Sequence, residues 1–217
     1  VNDQEKFNWA TSGKFAFGKT KLGDSGFRKS IDEIKLESVL IYKLSTLINP
    51  YAAVTALTQF ADGFQYPDDD TKVKVSTFLD PGYFTQSAGL GIEPTEGFKT
   101  RLGASIKETV TSDFPRPYAD DPETDEIEKT RTEVGMESIT DFSRSLGENM
   151  VLTCKLELFS NVKAFDEIDV NWDNLFTAKI SKYVNVNFNF RLFYDRNISA
   201  KRQISQSLAL GLTYTIL

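Results

Sequence analysis

The side chains of this chain best suited to chemistry are carboxylates, and they cluster in two stretches. PDDDTK carries Asp68, Asp69 and Asp70, and YADDPETDE carries Asp120, Asp121, Glu123, Asp125 and Glu126. Oxygen-rich loops of this kind are what a calcium ion uses, but the spacing matches no defined calcium loop and the glycine that turns such a loop is missing. Solvated loop charge is the simpler reading, and no metal or other cofactor is expected. Glu133 and Glu137 could move protons if a suitable group stood beside them. None can be placed there from the sequence, so this pair is expected to face lysine or arginine instead. Histidine is absent, which removes Ser-His-Asp, Cys-His and imidazole-ligated metal chemistry together. The one cysteine, Cys154, lies among leucines in LTCKLEL. A thiol there behaves as a small hydrophobe, and alone it builds neither an intrachain disulfide nor a multi-cysteine zinc site. Asn197-Ile198-Ser199 fits a glycosylation acceptor pattern that is common by chance. No residue is assigned a catalytic role, and the chain is not expected to be an enzyme.

The elements that would carry these residues are strands. In 217 residues there are 17 Phe, 8 Tyr and 2 Trp, a composition that favours strands over helices. The formal charge of −6, with no basic block, lacks the footprint of a nucleic-acid binder. The opening VNDQEKFNW has neither the basic start nor the apolar run of a secretory signal. The uncharged run Leu44 to Ala61 has the length of a membrane helix. It is broken by Asn49-Pro50 and holds six Ser, Thr, Asn or Gln residues, so it reads as strand, turn and strand.

Period-2 alternation recurs from end to end, while helical spacing is nowhere sustained. About ten strands are predicted: Phe7 to Gly18, Ser30 to Thr46, Tyr51 to Phe64, Tyr83 to Ile92, Phe98 to Thr111, Glu126 to Phe142, Met150 to Asn161, Val170 to Ser181, Tyr183 to Asp195, and Gln203 to Leu217. Connections after the second, fourth, sixth and eighth are short. Those after the first, third, fifth and seventh, including Val162 to Asp169, are longer and polar. Short turns at one end and long loops at the other describe a single up-and-down antiparallel meander over residues 1–217, and in particular a transmembrane β-barrel.

The opposed faces of those strands then decide which side is inside. The polar faces collect Lys35, Glu37, Lys99, Arg101, Glu133, Glu137, Lys155, Glu157, Asp173, Lys179, Asn187 and Arg191. In a soluble sheet protein these side chains would meet water and the apolar face would form the core. Ten long apolar faces are hard to hide in one soluble core, whose strands usually run five or six residues. A tilted strand of roughly nine to eleven residues crosses a bilayer, with apolar side chains toward lipid and polar ones toward the lumen. Closing the sheet would satisfy the backbone without water, as lipid demands. The twelve polar residues are therefore expected to line the lumen. Aromatics near strand ends, Tyr42, Tyr51, Trp172, Tyr183 and Tyr214 among them, are expected to form interfacial girdles. A soluble barrel binding an apolar ligand in its core is the reading with the faces reversed.

Several segments taken in order, FRKSIDEIKLES, VSTFLDPGYFTQSAGLGIEP, LELFSNV, VNWDNLFTAKISKYVNV, LFYD and LALGLTYTIL, resemble an uncharacterised domain-of-unknown-function family of outer-membrane β-barrels from the Bacteroidetes and Chlorobi group. The similarity runs from about Trp9 to Leu217. It implies an outer-membrane barrel, with the lipid bilayer and other outer-membrane proteins as partners, and it supplies no functional residues. Family members look as though they carry further strands upstream, which would bring a complete barrel to about twelve. The terminal aromatic usual in outer-membrane proteins is replaced by Leu217. Within that setting the expected role is structural or accessory, a narrow small-solute channel, or a subunit of a larger outer-membrane assembly.

Overall fold

The computed structural model describes residues 2–21, 23, 26–67, 71–116, 118–121, 124–196 and 201–212. Among them there is no helix. The strands are β1 (Asn2–Asp3), β2 (Phe7–Thr20), β3 (Arg28–Tyr42), β4 (Ile48–Thr58), β5 (Gly63–Gln65), β6 (Val73–Ser76), β7 (Gly82–Thr95), β8 (Phe98–Val110), β9 (Thr130–Gly147), β10 (Met150–Asn161), β11 (Ala164–Lys179), β12 (Val184–Tyr194) and β13 (Gln203–Leu212). Eleven follow the sheet order β1-β2-β3-β4-β7-β8-β9-β10-β11-β12-β13, and β5 and β6 form a separate hairpin. Neighbours in sequence are thus neighbours in the sheet, apart from β7, which pairs with β4 across that hairpin. The chain forms two compact units. One comprises residues 1–42, 52–88 and 105–134, and the other residues 43–51, 89–104 and 135–217.

Among the described residues the expected ten strands become thirteen. β10 matches its predicted bounds, since Leu152, Cys154, Leu156 and Leu158 alternate with Thr153, Lys155 and Glu157 without interruption. The predicted third strand instead stops at Thr58, and Gly63–Gln65 turns back to pair with Val73–Ser76. Strands of three and four residues are too short to show a period. The second strand ends at Tyr42 rather than Thr46 because Asn49 Oδ1 accepts the amides of Leu44 and Ser45, at 2.8 and 2.9 Å. Such an Asx bond offers the backbone a turn in place of the ladder.

The loop expected from Val162 to Asp169 is a correction. β10 and β11 are joined through Val162 and Lys163 alone, with Asn161 Oδ1 accepting the Lys163 amide at 2.9 Å. Pairing carries past the acidic residues, with Phe159 opposite Asp169 and Ser160 opposite Ile168. Acidic residues read as loop in a sequence; here the register shifts between Ser160 and Asn161, so that residues 165–167 bulge between the Asn161–Ala164 and Ser160–Ile168 pairs. At the other end β7 and β8 meet in the turn Glu96-Gly97, where Gly97 has φ 79°, open to glycine at little cost.

The long connection between β8 and β9 is fastened by side chains within the first unit. Asp80 accepts the amides of Ser112 and Asp113 at 3.0 and 2.7 Å. Asp120, itself buried, accepts Arg116 Nε and, at 3.0 Å, the amide of Glu128. Its carbonyl takes Arg131 Nη2 at 3.0 Å. These bonds satisfy backbone groups that no ladder reaches.

Candidate functional site

The feature that departs most from a soluble sheet is the burial of polar side chains along β8 and β9. Along β8 and β9 burial alternates with period 2, as a pleated strand requires. Its sense is inverted: Arg101, Glu133 and Glu137 are 7 to 8% exposed, while Leu102, Ile106, Val134 and Met136 are 42 to 52% exposed. Burying a charge is costly unless it is paired, so the partners decide whether this face is stable.

In the first unit, the buried side of β8 presents Ser105, Lys107 and Thr109. Lys107 Nζ lies 3.5 Å from Glu133 Oε2. Further along the same unit, Lys14 Nζ meets Glu33 Oε1 at 2.9 Å. Lys35 and Glu37, both half-buried on β3, stand opposite Lys14 and Ser12 of β2. The small Ser105 and Thr109 are almost wholly enclosed, which leaves room for the long Lys107 and Glu133 side chains on the same face.

In the second unit, the Tyr51 hydroxyl donates to Glu137 Oε1 at 3.2 Å, and the Arg101 guanidinium lies 5.4 Å from the Tyr51 ring centroid. Tyr51 was expected in an interfacial girdle. Instead it is buried, because β4 begins at Ile48 and the pleat then turns Tyr51 and Ala53 to one side and Ala52 and Val54 to the other. Nothing in the local sequence signals that parity, which depends on where pairing starts.

Strands β9 to β12 set charges of alternating sign directly opposite one another. Asp141 faces Lys155, Lys155 faces Asp173, and Asp173 faces Arg191. Lys155 Nζ approaches Asp141 Oδ1 at 3.9 Å and Glu157 Oε1 at 3.5 Å. Amides complete the row: Asn171 Nδ2 donates to Glu157 at 2.6 Å, Asn189 Nδ2 to Asp173 at 2.6 Å, and Arg191 Nε to Asn171 Oδ1 at 3.2 Å. Asn187 Oδ1 accepts Thr177 Oγ1 at 2.8 Å. Each opposite-charge pair across strands contributes roughly 0.2–1 kcal/mol, so the row acts as a register lock of several weak bonds.

Two of the twelve residues stand apart. Lys99 pairs with Glu93 at 3.2 Å, and both side chains are substantially exposed. Lys179 is exposed at the end of β11. Both lie at strand ends, where a side chain reaches water. On the other face, Trp172 stacks edge-on against Phe190 at 5.7 Å and donates to Cys154 Sγ at 3.1 Å, which places the thiol among apolar neighbours.

Among the described residues no group of three or more His, Cys, Asp or Glu could hold a metal ion. Asp68, Asp69, Asp70, Glu123, the Asn197-Ile198-Ser199 pattern and Tyr214 lie outside the described residues. Asp120 and Asp121 serve the connection between β8 and β9, Asp120 through the bonds given above and Asp121 through its backbone carbonyl, which accepts the Thr124 amide at 3.2 Å. Arg116 and the Glu128 amide hold the Asp120 carboxyl below the ordinary carboxylate range.

Fold and face together define an antiparallel all-β meander in which, along β8 and β9, charged side chains are buried and large apolar ones exposed. Residues 63–216 match the family described as Protein of unknown function, DUF481, and the chain belongs to that family. Residues 2–64 match a second description, Protein of unknown function (DUF3078). The two matches meet at the start of β5, so the hairpin marks the change from one to the other. No curated protein matches the chain.

Proposed function

We propose that this chain is an integral outer-membrane β-barrel, with the apolar strand faces toward lipid and the charged faces toward a narrow interior. The observation that carries this reading is the inverted burial along β8 and β9, charged side chains enclosed and large apolar ones open. Lipid would supply the apolar surroundings that water denies Leu102, Ile106, Val134 and Met136. Strands of 11 to 18 residues from β7 to β12 meet or exceed the roughly nine to eleven needed to cross. Interior ion pairs such as Lys107 with Glu133, and the row from Asp141 to Arg191, would fill a barrel of this size with side chains. The role that follows is structural or accessory, or passage of a small solute through a constricted lumen.

Nitroxide labels at Phe188 and Asn187 test the orientation. Lipid-soluble oxygen should quench the label at 188, and a water-soluble nickel complex should reach the label at 187 and not the one at 188. The reverse pattern would establish a soluble barrel with an apolar core.

A subunit role in a larger assembly draws support from β13, whose Ile204, Leu208, Leu210 and Leu212 are all strongly exposed. Chemical crosslinking at Leu210 in native membranes should then capture a protein neighbour, and crosslinks to lipid alone would count against it.

A further inference from the structure

A cleft of about 380 Å3 lies within the first unit, between the ends of β2 and β4, the start of β3 and the β5–β6 hairpin. Its volume falls in the range of small-molecule sites, about 300–1,000 Å3. Rings of Phe17, Phe27, Phe64 and Tyr66 line it together with Lys19, Lys29 and Lys72.

The three lysines differ in what they already do. Lys29 Nζ donates to Asp32 Oδ2 at 2.7 Å, Gln59 Oε1 at 3.4 Å and the Ala61 carbonyl at 2.9 Å. An ammonium has three donors, so Lys29 is occupied in fastening β3 to the segment after β4. Asp62, the carboxylate of the wall, is likewise engaged by Lys74 at 2.9 Å and by Thr77 Oγ1 at 2.6 Å. Lys72 Nζ instead lies 3.7 Å from the Phe64 ring centroid, and Lys19 Nζ lies 5.8 Å from that of Phe17. Among the described residues neither has a carboxylate partner. A ring holds a cation without neutralising it. Among the described residues the lining thus sets three lysines against one carboxylate, on a chain of formal charge −6.

We propose that this cleft binds an anionic sugar, its phosphate or carboxylate taken by Lys19 and Lys72 and its ring face laid on the exposed ring of Phe27. A purely apolar ligand would bury the ammonium groups without partners, which is costly. A bare inorganic anion would leave the rings unused. A polyhydroxylated ring with one anionic group matches both. The same chemistry is offered by a free sugar phosphate and by the headgroup of a phosphorylated glycolipid. The cleft lies in the strand ends and connections of one unit, so the proposal stands apart from the membrane reading.

Calorimetric titration of the purified full chain in detergent with glucose 6-phosphate, glucose and inorganic phosphate tests it. Glucose 6-phosphate should bind, and glucose and phosphate should each bind at least about tenfold more weakly. Lys72→Gln and Lys19→Gln should each weaken glucose 6-phosphate about tenfold, and Phe27→Ala about threefold, with melting temperatures unchanged. In nanodiscs containing a phosphorylated glycolipid, a fall in apparent affinity identifies the glycolipid as the source, and an unchanged affinity identifies the free sugar. Absence of binding by the folded protein at about 10 mM glucose 6-phosphate, equal binding of inorganic phosphate, or full affinity in the Lys19→Gln/Lys72→Gln double variant would each overturn the proposal.

Discussion

Tyr51 and Glu137 are both buried, and the phenolic hydroxyl of the first donates to a carboxylate oxygen of the second at 3.2 Å, tying β4 to β9. With Arg101 over the Tyr51 ring at 5.4 Å, this contact occupies the kind of position that an aliphatic cluster fills in a soluble sheet. Tyr51→Phe keeps the ring for Arg101 and should cost about 1.5–3 kcal/mol, the range for a bond to a charged acceptor. Glu137→Ala removes the acceptor and the charge, and should cost about 3 kcal/mol or more. Denaturant titrations of both and of the double variant should show less loss in the double than in the sum; strict additivity would mean that the two side chains do not cooperate.

Leu102 and Met136 are exposed on the opposite faces of their strands from Arg101 and Glu137. If those faces meet lipid, Leu102→Lys and Met136→Lys should each destabilise the protein by about 2–4 kcal/mol in vesicles. If they meet water, each change should stay within about 0.5 kcal/mol of neutral. Reversible unfolding from phospholipid vesicles distinguishes the two outcomes.

Gly89 of β7 faces the backbone of β8 so closely that a Cβ there would run into the Leu102 carbonyl and the Gly103 Cα. Backbone cannot give way as a flexible side chain can, and Gly89→Ala should cost roughly 1–3 kcal/mol, as overpacking does. At Gly26 an added Cβ meets nothing within 4 Å. Gly26→Ala should therefore leave the unfolding midpoint close to that of the parent. Equal stability of the two variants would show that β7 and β8 lie farther apart than described.

Asp120 anchors the connection between β8 and β9, and its carboxyl is held below the ordinary value of 3.8, first by Arg116 and then by the Glu128 amide. A folded-state value depressed below the unfolded one gives stability that is present above the unfolded value and lost as pH falls through the folded value. The anchoring should therefore be constant through neutral and mildly acidic pH and weaken only below the ordinary carboxylate range. Hydrogen exchange of the Glu128 amide against pH measures it. Asp120→Asn should raise that exchange at neutral pH, and loss of protection in the parent well above the carboxylate range would contradict the assignment.

The strands with unbroken alternation were legible from the residues alone, as β10 illustrates. What escaped were features decided by pairing rather than by pattern. The β5–β6 hairpin is too short to show a period, and β11 begins at Ala164 although its first residues are acidic enough to read as loop. That Glu133 and Glu137 share one face of β9 followed from alternation along the strand, whereas their burial did not. Lys99 and Lys179, alike in type to Lys155, lie exposed because they fall at strand ends. Tyr51 passed for a surface aromatic because its side of the sheet depends on where β4 begins.

Alternation along each strand belongs to the amino-acid sequence, since successive side chains of a pleated strand point to opposite sides whatever surrounds them. The sequence by itself therefore determined that Lys155 and Glu157 share a face and that Leu156 takes the other. Which charges meet was decided only by the tertiary structure. Asp141, Lys155, Asp173 and Arg191 come from four strands, and they form an alternating row solely because the registers align them. Burial of Arg101 and Glu137 is likewise set by what packs across from them, and a one-residue slip of register would turn the same side chains outward.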